Sequence, residues 1–472
     1  MSGIAGINKP NERDLVERML KSIGHRGDAD PTVVEMASAS IGAVRFSQIG
    51  EEPGPVSILG DDRVILLDGN LAAGQNPEPE IALVLYTECG SQLFSELEGD
   101  FAICIVDAPD IVLARDRLGI RPLYYGFRHG VLCFASEIKA LIGVVDEVVE
   151  FPPGHFLRSG QGILPYEPIA TQRGDRYSLP DKPGLMHAYL DQAVKQCLPA
   201  DGEVGVWLEG TLDSSLIAAV TNARVNSLKT FAAGIEGSPE IKHSRQVAEY
   251  LESDHHERIF DLNEMLNVLE EVIYSLESFD APLVRSAIVS YLLSEMASKH
   301  VSVVVSGEGG EELFAGPAYR KDCEGKLERT LGIQAAIESL HNTELQRVDR
   351  AAAASGIQAA LPFLNPDLVN LALAIPNRWM DSVPQAEDQA PLQRAIEDVL
   401  PEDLLSMEDL EPVSDGSPAK LLMDYAEEQI SDRRFYLQPE PEIAIRDRRI
   451  RSKDELLYYG IFKKFFGGFV SP

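Results

Sequence analysis

The amino-terminal third of the chain alternates short apolar runs with turn-forming residues, a pattern typical of antiparallel strands. The clearest apolar runs are Val64–Leu67, Phe101–Val106, Ile111–Ala114, Pro122–Phe127 and Val131–Ala135. Ala108-Pro109-Asp110 and Arg128-His129-Gly130 separate two pairs of these runs and predict hairpin turns. Apolar residues at helical spacing predict helices near Glu12–Ile23 and Glu80–Cys89. This order predicts a layered α+β domain over residues 1–166.

The pattern changes after residues 167–183, whose Pro, Gly and charged residues predict a linker. Apolar strands then alternate with amphipathic helices. Val204–Leu208, Thr230–Ile235 and Val301–Val305 have the composition of buried strands, and a helix is predicted from about Asp213. Such alternation predicts an α/β domain over residues 184–472, with a parallel sheet covered on both faces. Residues 343–472 are predicted to be mostly helical.

Composition restricts the classes of function. The 472 residues carry a net charge of −33, which repels phosphate backbones, so nucleic acid is not a predicted partner. No apolar run approaches the roughly 20 residues that cross a bilayer, and the start of the chain lacks the pattern of a signal peptide. We therefore predict a cytoplasmic protein without a membrane partner. Five widely spaced cysteines predict neither disulfides nor structural zinc.

Two polar loops follow the predicted strands of the second domain. They are Glu209–Ser215 and Ser306–Glu312. The carboxyl ends of parallel strands are where open α/β folds bind ligands, and the free N–H groups of a following helix suit phosphate. Asp213 and the glutamates of the second loop suit Mg²⁺. Together the loops predict a nucleoside triphosphate with magnesium, although each loop alone is also typical of an ordinary strand-to-helix turn.

These loops resemble the motifs of the asparagine synthetases. The first is similar to S-G-G-L-D-S-S and the second to S-G-E-G-[SA]-D-E, while Leu361–Asn365 is similar to V-P-F-L-D. Further matches lie in the first domain: Ser2–Gly6 with C-G-I-A-G, His25–Gly27 with H-R-G, Ala114–Tyr125 and Phe134–Lys139. The motifs cover almost the whole chain and occur in the order of the family.

The resemblance implies an amidotransferase domain of the N-terminal-nucleophile type, an αββα sandwich, followed by an ATP-pyrophosphatase domain with a helical carboxyl-terminal part. It also implies a reaction. A substrate carboxylate attacks the α-phosphorus of ATP, pyrophosphate leaves, and an amine converts the acyl-adenylate to an amide. In such enzymes the ammonia comes from glutamine hydrolysed in the first domain.

The resemblance implies a role for each loop residue. Glu308 and Arg285 are implied to be catalytic, and Asp213 and Glu311 to be ligands of Mg²⁺. The residues implied to bind ATP are Glu209, Gly210, Thr211, Asp213, Ser214, Ser215, Ser306, Gly307, Gly309 and Gly310.

The first domain departs from the family at its nucleophile. Ser2 stands where the family has the cysteine nucleophile, and a hydroxyl loses its proton less readily than a thiol. The oxyanion segment N-G-E appears as Asp68-Gly69-Asn70, and a carboxylate at Asp68 repels developing negative charge. Arg45 matches the residue that pairs with the glutamine carboxylate, and Glu78 is the candidate for its amino group. We predict that glutamine hydrolysis is lost or very weak.

The phosphate loop departs as well. Glu209 stands where the family has Ser, and its charge repels pyrophosphate unless a cation neutralises it. Thr211 stands where the family has Gly, which predicts strain if this position requires a positive φ. Ala360 and Gln389 occupy positions where the family has basic residues, so positive charge is predicted to be missing from the site.

Three functions stay open. The first is an ATP-dependent ligase that joins a carboxylate, aspartate by default of the resemblance, to ammonia or another amine; Asp213 and Arg285 favour it. The second is a non-catalytic binding or regulatory pseudoenzyme, favoured by Glu209 and Thr211. The third is an amidohydrolase that depends on Ser2. The chain could form a homodimer. If it is a pseudoenzyme, a protein partner is also expected.

Overall fold

The computed structural model describes residues 2–28, 30–45, 56–59, 63–72, 79–166, 184–199, 203–314, 335–374, 399–401, 404, 416–437 and 450–467. The predicted linker at 167–183 lies outside these residues, as do Glu78 and Gln389. Within them, no helix is both long and apolar enough to span a membrane.

The amino-terminal domain contains two antiparallel sheets. Its strands are β1 (Ser2–Ile7), β2 (Thr32–Glu35), β3 (Ser40–Arg45), β4 (Val56–Leu59), β5 (Arg63–Ala72), β6 (Glu98–Asp107), β7 (Asp110–Arg115), β8 (Tyr124–Arg128), β9 (Val131–Ala135), β10 (Val148–Glu150), β11 (His155–Arg158) and β12 (Gly162–Pro165). One sheet has the order β10-β8-β9-β1-β3-β2 and the other β12-β11-β7-β6-β5-β4. The five strands predicted in this region correspond to β5–β9, and both predicted hairpins are confirmed.

Helices cover the outer faces of these sheets. They are α1 (Arg13–Ser22), α2 (Pro79–Cys89) and α3 (Leu93–Glu96). The first packs on β1 and β3, and the second packs on β4 and β5. Apolar side chains such as Ile4, Leu66 and Phe134 fill the space between the two sheets. Burial of these alternating residues gives the predicted αββα sandwich.

The carboxyl-terminal domain contains a parallel sheet. Its strands are β13 (Val204–Trp207), β14 (Lys229–Gly234), β15 (Asp254–Ile259), β16 (Val303–Val305) and β17 (Gln358–Ala360), in the order β15-β14-β13-β16-β17. The sequence pattern missed β15 because its residues are mostly polar, and β17 because it is only three residues long. The predicted α/β arrangement is otherwise confirmed.

The described helices of this domain account for most of its remaining structure. They are α4 (Gly184–Cys197), α5 (Leu212–Asn222), α6 (Pro239–Tyr250), α7 (Leu262–Leu276), α8 (Ala281–Ala297), α9 (Gly310–Phe314), α10 (Glu344–Ala354), α11 (Pro366–Ala374), α12 (Pro418–Gln429), α13 (Asp432–Tyr436) and α14 (Lys453–Phe466). The strands β13 and β16 are neighbours in the sheet, with Val206 opposite Val305. The loops that follow them therefore emerge side by side, as the sequence predicts.

A buried network of ion pairs joins the two domains. Glu137 of the first domain accepts hydrogen bonds from Arg26 and lies 3.0 Å from the guanidinium of Arg350, which belongs to α10 of the second domain. Arg350 also pairs at 3.0 Å with Glu277, whose carboxylate accepts the backbone N–H groups of Ile138 and Lys139. Removing one partner of such a buried pair leaves an uncompensated charge, typically at a cost of about 3–5 kcal/mol.

We predict that acid weakens this network. Burial alone would raise the pKa of Glu137, but the charges of His25, Lys139 and Arg350 outweigh burial and hold that pKa well below its ordinary value of 4.5. A carboxylate with a lowered pKa stabilises the fold above its unfolded-state pKa. This contribution is lost as the pH falls through the lowered value of the folded state.

Urea unfolding at a series of pH values measures this effect. Arg350→Gln should lower the unfolding midpoint at neutral pH and make its further decrease in acid shallower than in the wild type. Arg63→Gln, which removes a partly exposed pair with Asp107, is the control and should have the acid dependence of the wild type. Equal acid dependence in Arg350→Gln and the wild type would contradict the prediction.

Candidate functional site

The first loop connects β13 to α5 through one glycine in a left-handed conformation. Gly210 has φ +76°, and a Cβ there would lie 2.4 Å from the backbone oxygen of Glu240. Thr211, by contrast, has φ −97° and caps α5, because its hydroxyl accepts the backbone N–H of Ser214. The expectation of strain at Thr211 is therefore wrong, since the position that requires glycine is Gly210.

Hydroxyl groups hold the shape of this loop. Ser214 Oγ accepts the backbone N–H groups of Glu209 and Thr211, both at 3.2 Å. Ser215 Oγ donates to the carbonyl of Thr211 at 2.7 Å and lies 3.3 Å from Nε2 of His243 on α6. The two serine hydroxyls therefore hold the turn, in which hydroxyl and backbone N–H groups are the types of donor that bind phosphate oxygens.

The second loop follows β16 and packs directly against the first. A Cβ on Gly307 would lie 2.7 Å from the backbone nitrogen of Ser214, and one on Gly310 would lie 2.5 Å from Oδ2 of Asp213. Gly309 has φ +93°, so it takes the left-handed region open to glycine. The glycines of the second loop therefore allow the two backbones to approach each other.

The carboxylate of Asp213 lies where the two loops meet. It is 5% exposed and accepts the backbone N–H of Glu311, but its buried Oδ1 has no hydrogen-bond partner among the described residues. Burial, followed by repulsion from Glu311 and Glu312, raises the pKa of Asp213 well above its ordinary value. A bound cation would stabilise the charged form of this buried carboxylate and offset the repulsion from its acidic neighbours.

Magnesium fits this donor set. The described residues contain no group of three or more acidic, His or Cys side chains arranged to hold a metal by themselves. Mg²⁺ typically takes only one or two protein carboxylates and completes its coordination with water and phosphate oxygens. The resemblance implies two carboxylate ligands, Asp213 and Glu311, which agrees with this requirement.

Arg347 of α10 brings positive charge to the loops. Its guanidinium contacts Glu308 of the second loop, Ser290 of α8 and Glu344 of its own helix, and it lies 3.8 Å from Glu209 of the first loop. The surrounding carboxylates raise the pKa of Arg347 well above its ordinary value despite burial. Burial also raises the pKa of Glu308, against the opposing effect of Arg347.

This cation corrects one expectation. The sequence predicted that positive charge is missing from the site, whereas Arg347 supplies it from a helix far along the chain. Sequence reasoning missed Arg347 because no strand-end motif contains it. The available signal was a charged pair, Glu344 and Arg347, three residues apart on one helix.

Arg285 has a different environment. It lies on α8 and pairs with Asp454 at the start of α14. Among the described residues, no hydrogen bond or ion pair connects Arg285 with either loop. Its contact with a substrate stays a prediction from the resemblance.

The pocket around Ser2 is filled by the side chains of the domain itself. Ser2 is 7% exposed, and its hydroxyl lies 3.1 Å from Oδ1 of Asp68. The other oxygen of Asp68 accepts hydrogen bonds from Ser136 and Arg26. Asp68 stands where the resemblance implies an oxyanion hole, and it is a hydrogen-bond acceptor, whereas such a hole needs a donor.

Two of the remaining residues named for glutamine hydrolysis, Gly69 and Arg45, lie next to Asp68 and Ser2 in the sheets. Gly69 has φ +121° and packs on the backbone of Asp100, which holds β5 close to β6. Arg45 is the last residue of β3 and pairs in register with Ser2 across the sheet. The structure brings Ser2, Asp68 and Arg45 into one region, and Glu78 lies outside the described residues.

Comparison with known proteins agrees with this architecture. The asparagine synthase family matches residues 186–338 and 324–468, and the glutamine amidotransferase domain family matches residues 66–153. Glutamine-hydrolysing asparagine synthetase 2 of Arabidopsis thaliana is 33% identical over 412 residues, which cover 82% of this chain and 70% of that protein. Glutamine-hydrolysing asparagine synthetase B of Escherichia coli is 32% identical over 412 residues, covering 82% and 73%.

Two domain families therefore match in the order in which the sandwich and the parallel sheet occur, and full-length relatives share about a third of the aligned residues. The chain belongs to the asparagine synthetase family.

Proposed function

We propose that this chain is an ATP-dependent amide-forming ligase in which the glutaminase activity is lost. The observation that carries the proposal is the buried Oδ1 of Asp213, which no described residue pairs with, at the junction of two loops with donors suited to phosphate. The substrate would be a small carboxylate, aspartate by default of the family, and the nucleophile ammonia or another amine. The relatives named above are glutamine-hydrolysing asparagine synthetases, which supports the ligase class.

The phosphates of ATP would lie against the N-terminal turn of α5. The hydroxyls of Ser214 and Ser215 and the backbone N–H groups between Glu209 and Thr211 would bind their oxygens. Asp213 and Glu311 would hold Mg²⁺. When bound, this ion neutralises the charge that builds up on the leaving pyrophosphate.

Glu308 and Arg347 would act at the reacting groups. Arg347 is the described cation that reaches both loops, so its guanidinium would stabilise negative charge on the transferring phosphate group. Glu308 has a raised pKa because it is buried, and a carboxylate of this kind can accept a proton from an attacking amine.

Loss of glutaminase activity follows from the charge around Ser2. Asp68 holds the Ser2 hydroxyl, and Arg26 donates from Nε to the backbone carbonyl of Ser2 at 2.8 Å. An oxyanion formed near Ser2 would meet the carboxylate of Asp68 instead of an amide N–H. This arrangement weighs against the Ser2-dependent amidohydrolase.

One observation favours the pseudoenzyme as a second candidate. The carboxylate of Glu209 lies 3.8 Å from Arg347 and neutralises part of its charge, although the pKa of Glu209 is itself raised by burial. In addition, Ser214 Oγ accepts the loop N–H groups that phosphate would need. A triphosphate would have to displace these contacts to bind the loop.

We predict that Asp213→Asn removes pyrophosphate exchange into ATP. The substitution takes away one of two carboxylates available to Mg²⁺, and the exchange rate should fall at least about a hundredfold. Asp367→Asn changes an exposed carboxylate in the first turn of α11 and is the matched control, with the rate of the wild type. The measurement uses radiolabelled pyrophosphate, Mg²⁺ and a panel of small carboxylates. Absence of both exchange and calorimetric ATP binding in the wild type would reject the ligase and support the pseudoenzyme.

We also predict that replacing Ser2 does not change glutamine hydrolysis. Glutamate release should stay at background for the wild type, Ser2→Ala and Ser2→Cys. The thiol of Ser2→Cys is a better nucleophile, but Asp68 still opposes the oxyanion. Release that falls in Ser2→Ala would support the amidohydrolase, and release that rises in Ser2→Cys would show that Asp68 does not prevent catalysis.

A further inference from the structure

Helix α10 carries charged residues on two opposite sides. Arg347 contacts Glu308 in the second loop, whereas Asp349 contacts Arg26 in the amino-terminal domain. Residues two positions apart on an α-helix point about 200° apart, so one helix meets both sites. Helix α10 thus connects Arg26, which contacts Ser2, with the second loop of the proposed ATP site.

Arg26 makes a two-pronged contact with this helix. Its NH1 donates to Oδ2 of Asp349 at 2.8 Å, and its NH2 donates to Oδ1 at 3.1 Å. The same guanidinium donates to the carbonyl of Ser2 and to Asp68. Arg26 is fully buried, and Asp349 is 7% exposed. A bidentate pair fixes both the distance and the orientation of its partners, so Arg26 sets the position of α10 relative to β1 and β5.

A second contact fixes the rotation of α10. Arg350, the next residue after Asp349, pairs with Glu137 of the first domain and Glu277 after α7. Two adjacent residues held at separate points leave little freedom for rotation about the helix axis. The direction in which Arg347 leaves the helix is therefore tied to these buried pairs.

We propose that Arg26 is a positioning residue of the synthetase site, which acts through Asp349 and α10 to hold Arg347 against Glu308. On this proposal, the amidotransferase-like domain is retained as a support for the synthetase chemistry after losing its own. The effect of Arg26 on catalysis rests on the proposed ligase function, whereas its effect on the second loop can be measured without any enzymatic activity.

The test compares two kinds of carboxylate neutralisation. Asp349→Asn removes the charge that Arg26 holds while keeping the shape of the side chain. Asp107→Asn is the matched control, because it neutralises the partner of Arg63, at 2.9 Å within the amino-terminal domain. Arg26→Gln tests the pair from the other side, so the experiment does not depend on one variant that folds.

The first measurement is amide hydrogen exchange, which needs no substrate. In Asp349→Asn and Arg26→Gln, amides of residues 306–312 and of α10 should exchange at least about threefold faster than in the wild type. The same amides should keep wild-type rates in Asp107→Asn. Unchanged exchange at residues 306–312, or equal acceleration in the control, would overturn the proposal.

The second measurement is a double-mutant cycle on pyrophosphate exchange. Asp349→Asn alone should lower kcat roughly threefold to thirtyfold, with a smaller change in KM for ATP. In the background of Arg347→Gln, Asp349→Asn should change kcat almost no further, because the guanidinium through which Asp349 is proposed to act is already absent. An equal fold-change in both backgrounds would overturn the proposal. If the wild type shows no exchange, the proposed function fails, and hydrogen exchange alone decides this inference.

Discussion

The burial of one guanidinium governs how the two domains fit together. Arg26 has no exposed surface, and a buried charge is stable only when carboxylates and carbonyls surround it. These partners come from separate parts of the chain: the carbonyl of β1, Asp68 of β5, Glu137, and Asp349 of α10. Each must arrive at the same point for the fold to form, so the geometry around Arg26 couples both sheets of the sandwich to the second domain.

The same need for charge compensation shapes the proposed ATP site. Three carboxylates lie at the carboxyl ends of two parallel strands: Asp213, Glu308 and Glu209. Arg347 contacts Glu308 and lies 3.8 Å from Glu209. Asp213 keeps an unpaired oxygen, so this part of the site still lacks positive charge within the described residues. A divalent cation at Asp213 would neutralise the negative charge that Arg347 does not reach. The metal and the nucleotide are therefore proposed together.

The amino-terminal domain keeps the fold of its family around a changed nucleophile position. The strand positions of the nucleophile and oxyanion segments are kept in β1 and β5, yet Ser2 and Asp68 now bind each other and Arg26. Removing the domain would expose Asp349 and Arg350 of α10. The energetic cost of those unpaired charges is a physical reason for keeping the whole domain.

The sequence by itself determined strands β5–β9, β13, β14 and β16, the order of the two domains and the family, because alternating apolar residues and glycine-rich motifs are local signals. It also named Asp213, the two loops and the changed residues Ser2 and Asp68. The tertiary structure decided that Gly210 rather than Thr211 takes the left-handed conformation, since this depends on the approach of Glu240. It alone decided that Arg347 faces the loops, because contacts between residues 209, 308 and 347 arise from packing across the sheet and leave no periodic trace in the sequence.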